Sequence, residues 1–267
     1  MKADKEKDST DNTIRAVDRA LDVLLCFSSQ TPALTMTQIS EKTGIHKSTV
    51  HRLLATLEQR HFVRREVETG VYRPGVQLIQ VAQLALEGMN IHQITLPYMQ
   101  ILAEEFRETV DLAVLDQNHV MFLDVIQSPQ RVKLSSAPGM RLPAFATASG
   151  KAILAWLPQE DALQIRNDNN LNYEINKMPT VEAYLEDLRQ TRERGYSLDE
   201  EDLEIGINAV GSPIIGKNGD PIASIAVAGP AFRLDHALLV RIGRRLVEIT
   251  NEISNRVSLT DERHIID

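Results

Sequence analysis

One cysteine, Cys26, in 267 residues excludes an internal disulfide and a thiolate-rich zinc site, and it suits a reducing cytoplasm. Its apolar neighbours Leu24, Leu25 and Phe27 place it in a core. No run approaches the roughly 20 apolar residues that span a bilayer, so no membrane partner is expected. The opening MKADKEKDSTDN is charged throughout and reads as a polar, disordered tail (1–12) rather than a signal peptide. Histidines at 46, 51, 61, 92, 119, 236 and 264 form no pair at metal-ligand spacing. A phosphate-binding loop is missing too. In FATASGKA the first glycine is replaced by Phe145, and Ala152 stands where a magnesium-holding Ser or Thr belongs. No cofactor is expected. Ser149 and Lys151 lie two apart on a helix and point to different faces, so they make no nucleophile and base. Lys151 is expected in a surface or interface salt bridge. With no acid–base pair or metal constellation, the chain is not expected to be an enzyme.

A net positive charge is also lacking, since 29 Lys/Arg against 37 Asp/Glu leave −8. The charge is unevenly distributed. Residues 13–73 hold nine Lys/Arg against six Asp/Glu, whereas residues 74–267 sum to −10. A basic N-terminal module on an acidic remainder fits a nucleic-acid-binding domain joined to a separate regulatory one. The length also favours two domains.

Within the basic module, residues 35–57 (TMTQISEKTGIHKSTVHRLLATL) read as two short helices about a turn. Thr35 or Thr37 can cap the first, and Gly44 can end it in the left-handed conformation. The second begins near Lys47 and puts Val50, Leu53, Leu54 and Leu57 on one face. Its other face carries Lys47, Ser48, Thr49, His51 and Arg52. An apolar stripe to dock and a basic stripe to present make a helix-turn-helix for the major groove of double-stranded DNA. The plain alternative is an ordinary pair of helices in an all-helical domain. Residues 14–29 read as an amphipathic helix, with Val17, Ala20, Leu21, Leu24 and Phe27 packed on that pair. Residues 61–65 and 70–73 then read as a β-hairpin wing, with Arg64, Arg65 and Arg73 near phosphates.

Residues 76–89 are expected to form a helix whose stripe, Leu78, Ala82, Ala85 and Met89, is widened by Ile79 and Leu86. It serves as linker and dimer contact, giving a homodimer or a dimer of dimers on a palindromic operator. An α+β domain follows: a helix at 92–108 kinked or restarted at Pro97, strands at 110–115, 120–125 and 131–135, and a loop feeding a helix at 142–156. Next come a helix at 159–165, a polar loop at 168–172 and a helix at 181–193 ended by Gly195. A hairpin of 206–215 and 222–228 turns at 217–220. A long helix closes the domain at 234–257. The divisions expected are 13–75 for DNA binding, 76–90 for the linker, 91–258 for effector binding and oligomerisation, and 259–267 for a tail.

Three stretches in this order resemble the IclR family of bacterial transcriptional regulators, over about residues 13–257. They are HKSTVHRLLATLEQRHFV (46–63), LPAFATASGKAILA (142–155), and the pair GYSLDEEDLEIGINAVGSPI (195–214) and PIASIAVAGP (221–230). The resemblance implies a winged helix-turn-helix joined to a GAF-like α+β effector domain with a central antiparallel sheet. It further implies a small-molecule carboxylate effector and control of a catabolic operon. Ala148 and Ser149, at a helix N-terminus, would face an anion, unless these small residues only permit close packing. Carried over by resemblance, Leu134, Leu142, Asp199, Ala209, Ala226 and Ala228 would complete the pocket. Members that bind small hydrophilic acids have Cys at the position of Ala209, and Ser at those of Ala226 and Ala228. Their absence here points to an aromatic or partly apolar acid. The plain alternatives make Ala226 and Ala228 packing residues and Asp199 part of a solvated acidic loop. Arg131, if turned inward, would supply a charge contact. Two rival functions are a small-acid hydrolase or lyase with an accessory DNA-binding domain, and an architectural DNA-binding protein without ligand.

Overall fold

The computed structural model describes residues 14–28, 31–88, 90–167 and 173–259. The expected tail at 1–12, the loop at 168–172, Ser29, Met89 and the tail beyond Leu259 lie outside them. The chain divides into two compact units between Leu86 and Glu87.

In the first unit, helices α1 (Arg15–Leu25), α2 (Met36–Thr43) and α3 (Lys47–Gln59) pack around Val23, Ile39, Val50 and Leu54, all fully buried. Thr35 caps α2 reciprocally: its hydroxyl accepts from Gln38 N at 3.3 Å, and Gln38 Oε1 accepts from Thr35 N at 2.8 Å. Such a box contributes about 1 kcal/mol. Gly44 ends α2 at φ 67°, which a side chain would disfavour. His46 caps α3 through Nδ1, which accepts from Ser48 N at 3.3 Å, a role hidden because histidine is an uncommon cap. The expected face of α1 is corrected. Val17 and Leu21 are exposed, as are Ile14 and Leu25, while Val23 turns into the core with Ala20, Leu24 and Phe27 half-buried beside it. The helix has apolar residues on two sides, and pattern alone cannot tell which one α3 covers.

Strands β1 (Val63–Arg65) and β2 (Tyr72–Pro74) form the antiparallel hairpin. Leu34 pairs with Tyr72 through both backbone bonds, tying the hairpin to the start of α2. Helix α4 (Val76–Gly88) then leads out of the unit.

In the second unit, α5 (Asn90–Phe106) runs through Pro97 as one helix. It is followed by β3 (Thr109–Asp116) and β4 (His119–Ile126). The strand expected at 131–135 does not form. The free edge of β4 is taken by residues 139–143 instead, including β5 (Arg141–Pro143), which leaves 131–135 no backbone partner. A short 3-10 turn (Ala144–Ala146), α6 (Ala148–Leu154), α7 (Gln159–Arg166) and α8 (Val181–Arg194) come next. The strand β6 (Ser197–Glu200) was unforeseen, because its acidic SLDE gives no strand signal. The hairpin β7 (Ile207–Ile215) and β8 (Pro221–Pro230) and the final α9 (His236–Leu259) complete the unit.

The sheet is antiparallel throughout, in the order β5-β4-β3-β8-β7-β6. Alternation along each strand sorts its residues by face. Val110, Leu112, Ile225, Val227 and Val210 join the core beneath α5 and α9. The opposite phase carries Thr109, Asp111, Ala226, Ala228, Ala209 and Gly211 beneath α6. There the approach is close, because a Cβ on Gly211 would lie 2.7 Å from the Ala148 carbonyl oxygen. One on Gly150 would lie 1.9 Å from that of Ala144. Glycine at both positions is what lets α6 sit against the sheet and the preceding turn.

Candidate functional site

On α3 the buried Val50 and Leu54 fix the helix, and the opposite side is open. Lys47, Ser48, His51 and Arg52 are exposed and Thr49 is half-buried. The imidazole of His46 and the hydroxyl of Ser48 bond at 2.8 Å. Four of the five residues named from sequence thus lie in solvent along the first two turns.

The hairpin arginines separate. Arg64 and Arg73 are directly opposed in the ladder and share one face. Arg65 pairs with Tyr72 on the other face, its guanidinium 5.8 Å from the ring centre. Arg73 Nε is held by Glu66 Oε1 at 2.5 Å, so its charge is already matched. That bond and one from Thr69 keep the Glu66 carboxyl below its ordinary range. Arg64 and Arg65 are exposed.

The second unit contains a cavity of about 310 Å³ between the sheet and α6. All eight residues expected at an effector site line it, although they come from six separate segments. Leu134 and Leu142 arrive from the stretch before and within β5. Ala148 and Ser149 come from α6, Asp199 from β6, Ala209 from β7, and Ala226 and Ala228 from β8. The register explains the meeting. Ala209 pairs with both Ala228 and Asp199, and Ala226 pairs with Asp111 and Gly211. Three alanines therefore form a smooth floor between an aspartate on β3 and another on β6.

Asp111 was not singled out from sequence. Its signal was a charge inside the apolar run VDLAVL, in the phase opposite to Val110 and Leu112. The side chain is buried and lines the cavity. Ser149 Oγ donates to its Oδ1 at 2.7 Å. Burial pushes the carboxyl up to about 7, against the lowering effect of the Ser149 bond. Asp199 corrects the solvated-loop alternative: it is 4% exposed and its Oδ1 accepts from Asp202 N at 2.8 Å. Burial likewise raises it to about 7, with Lys151 acting the other way. Phe122, Met140, Tyr173, Leu203 and Ile207 add apolar wall that sequence reasoning did not assign. Arg131 is exposed and does not line the cavity, whereas Lys133 does, from an exposed position.

Lys151 also needs correcting. It is buried rather than superficial, and Nζ bonds Asp187 at 2.9 Å and Asp202 at 2.7 Å. Ser149 on the same helix turns to β3, so the two side chains do part as expected. A wider depression of about 620 Å³ surrounds Lys151, Lys177, Asp187 and Asp202, charges that neutralise one another. No group of three or more His, Cys, Asp or Glu among the described residues is arranged to hold a metal ion.

Both units match known proteins in sequence and fold. The model of the IclR helix-turn-helix domain matches residues 16–67, and that of the bacterial transcriptional regulator IclR C-terminal domain matches residues 83–255. The transcriptional repressor IclR of Escherichia coli K12 is 30% identical over 244 residues, 90% of this chain and 89% of its own. The crystal structure of Thermotoga maritima IclR superposes with a TM-score of 0.74 at 27% identity, covering 91% of this chain and 98% of that one. An IclR homologue from Microbacterium hydrocarbonoxydans, solved in complex with 4-hydroxybenzoate, gives 0.78 at 24% identity, over 90% of this chain and 99% of that one.

Proposed function

The chain belongs to the IclR family of bacterial transcriptional regulators, and we propose that it is a repressor released or retained on its operator by an organic acid with an apolar body. The observation that carries this reading is that all eight residues expected at an effector site line one cavity, in a unit distinct from the helix-turn-helix. In this reading α3 enters the major groove. Arg52, His51 and Thr49 reach base edges, Lys47 and Ser48 hold the backbone, and the hairpin acts as a wing with Arg64 and Arg65 on phosphates.

The effector lies on the floor of Ala209, Ala226 and Ala228. Methyl groups there offer no hydrogen bond to a small hydroxylated or oxo acid, whereas they suit a ring or a hydrocarbon chain. The 4-hydroxybenzoate bound by the Microbacterium relative has this character. The protein acts as a dimer or a dimer of dimers. Support comes from apolar side chains left in solvent on the first unit: Val76, Ile79 and Val81 of α4, and Ile14, Val17, Leu21 and Leu25 of α1. Ligand and operator are coupled only so far as the ligand prefers one of two arrangements of the dimer.

The test is fluorescence anisotropy of labelled DNA from the promoter region of the protein's own gene, with and without a panel of aromatic and aliphatic monocarboxylic acids. A salt-sensitive complex whose affinity changes at least fivefold with one acid supports the reading. Operator binding indifferent to every acid, with no acid raising the melting temperature, favours a DNA-binding protein without ligand.

A further inference from the structure

The cavity holds a polar atom that the protein leaves unused. Asp111 is 3% exposed, and Ser149 satisfies only one of its two carboxyl oxygens. Among the described residues the other has no hydrogen-bond partner. A carboxyl oxygen that opens on a cavity, on a side chain otherwise shut away from solvent, marks where a ligand atom completes the set.

The surroundings decide which kind of atom. No cation reaches Asp111 from the elements packed on it. On β8 its neighbour is Ala226, and on α6 it is Ser149. On β4, Asp124 lies in the opposite phase and bonds His92 at 2.9 Å. Lys151, two residues beyond Ser149, is held by Asp187 and Asp202. The other ionisable groups lining the cavity are Asp199 on β6, Tyr173, and Lys133 and Glu204, both exposed. A carboxyl shut in with methyl groups and no counter-ion favours its neutral acid form. Ser149 already donates to Oδ1, so the acid proton belongs on the open oxygen, facing the cavity. There it is a hydrogen-bond donor.

We propose that Asp111 is a ligand-contacting, specificity-determining residue that donates its carboxyl proton to a carboxylate oxygen of the effector, so that the cavity binds an organic anion together with one proton. This inference rests on the organic-acid reading of the cavity given above and adds the group that recognises the anion. Any Asp111 ionised in the free protein takes its proton from solvent as the anion enters. An acid–carboxylate hydrogen bond is charge-assisted and stronger than a neutral one. A neutral isostere of the same ligand forfeits it.

The experiment is isothermal titration of the full chain with benzoate, 4-hydroxybenzoate, phenylacetate and straight-chain monocarboxylates at pH 6, 7 and 8. Each is run in two buffers of different ionisation enthalpy to count protons. The acid that binds at pH 6 should weaken about tenfold by pH 8, with protons taken up, because Asp111 carries its proton up to about 7. The matching carboxamide should bind weakly, with no such dependence. The variant D111N keeps an acceptor for Ser149 and presents an N–H at the open position. It should bind the same acid with no proton uptake and a flat pH profile. S149A removes the bond that lowers the carboxyl, so it should keep the uptake and move the midpoint to higher pH. Binding by the wild type without proton uptake, or uptake undiminished in D111N, overturns this inference and leaves the organic-acid reading intact. No binding by any acid at pH 6 overturns the organic-acid reading and this inference with it.

Discussion

Helix α3 and strand β3 each set polar residues among apolar ones, to opposite ends. On α3 the apolar phase faces inward, and Lys47, Ser48, His51 and Arg52 stand in water, where a charge costs little to hold and is free to meet a phosphate. On β3 both phases are covered. Asp111 lies under α6 with its charge suppressed, while Val110 and Leu112 lie under α5 and α9. An exposed cation attracts at long range and is screened by salt, whereas a buried acid acts only at contact and answers to pH. The first unit should therefore respond to ionic strength and the second to proton concentration.

The largest expected effect removes the second unit's half of this contrast. Gly150→Ala drives a methyl to 1.9 Å from the Ala144 carbonyl oxygen, which no side-chain motion relieves. A loss of 3 kcal/mol or more, read as a lowered melting temperature with ligand stabilisation gone, is expected, by about the size of severe overpacking. A melt within a degree or two of wild type would mean that α6 is free to lift off its turn. Next comes Arg52→Ala. Losing one base or phosphate contact of this kind costs about 1–3 kcal/mol, or roughly 5-fold to 150-fold in operator affinity. The ligand-induced melting shift should stay as it was. Loss of both activities would refute the assignment of separate roles to the two units.

The pH dependence of stability is smaller and signed. Asp111 and Asp199 keep their protons up to about 7 in the folded chain, whereas an unfolded aspartate releases its proton near 4. Between those values the folded state binds more protons than the unfolded one, so stability falls as pH rises. From pH 5 to pH 7 each group should cost about 2 kcal/mol in the free protein. Denaturant melts of D111N and D199N should each recover one share at pH 7 and little at pH 4. Equal curves for wild type and D111N would show that Asp111 is solvated. The smallest contrast lies within the hairpin. Arg73→Ala should weaken operator binding by under about threefold, because Glu66 already occupies that guanidinium, while Arg64→Ala should cost more and flatten the salt dependence. The reverse order would mean that the Glu66 pair opens on DNA.

What could be read from the chain follows the range of the interactions involved. The helix-turn-helix is local: Thr35, Gly44 and the spacing from Val50 to Leu57 specify it within about 25 residues, and it forms as expected. The hairpin at Gly219 is local as well. The α1 face failed, because two apolar sides compete and only the position of α3 chooses between them. Residues 131–135 failed, because a β-prone segment needs a free edge and residues 139–143 hold it. Strand β6 went unseen because its acidic residues hide a strand that its neighbour β7 enforces. The cavity was the least local feature. Eight of its residues were reached through family resemblance, whereas Asp111 showed in the sequence only as a charge inside an apolar run, and the register is what sets it beside Ala226 and beneath Ser149.

Helix α6 has seven residues and no exposed face. Ser149 fastens it to β3, the Ala148 carbonyl accepts from Ser197 Oγ of β6 at 2.6 Å, and Lys151 fastens it to Asp187 of α8. A part pinned at three points to three neighbours works as a rivet rather than a hinge. Whatever tugs on Ser149 from the cavity loads β3, β6 and α8 together, so the cost of a poor fit is spread over the whole unit. Small misfits among ligands should then appear as graded stiffness of the domain, measurable by hydrogen exchange on β6 and α8, well before they appear as a change in shape.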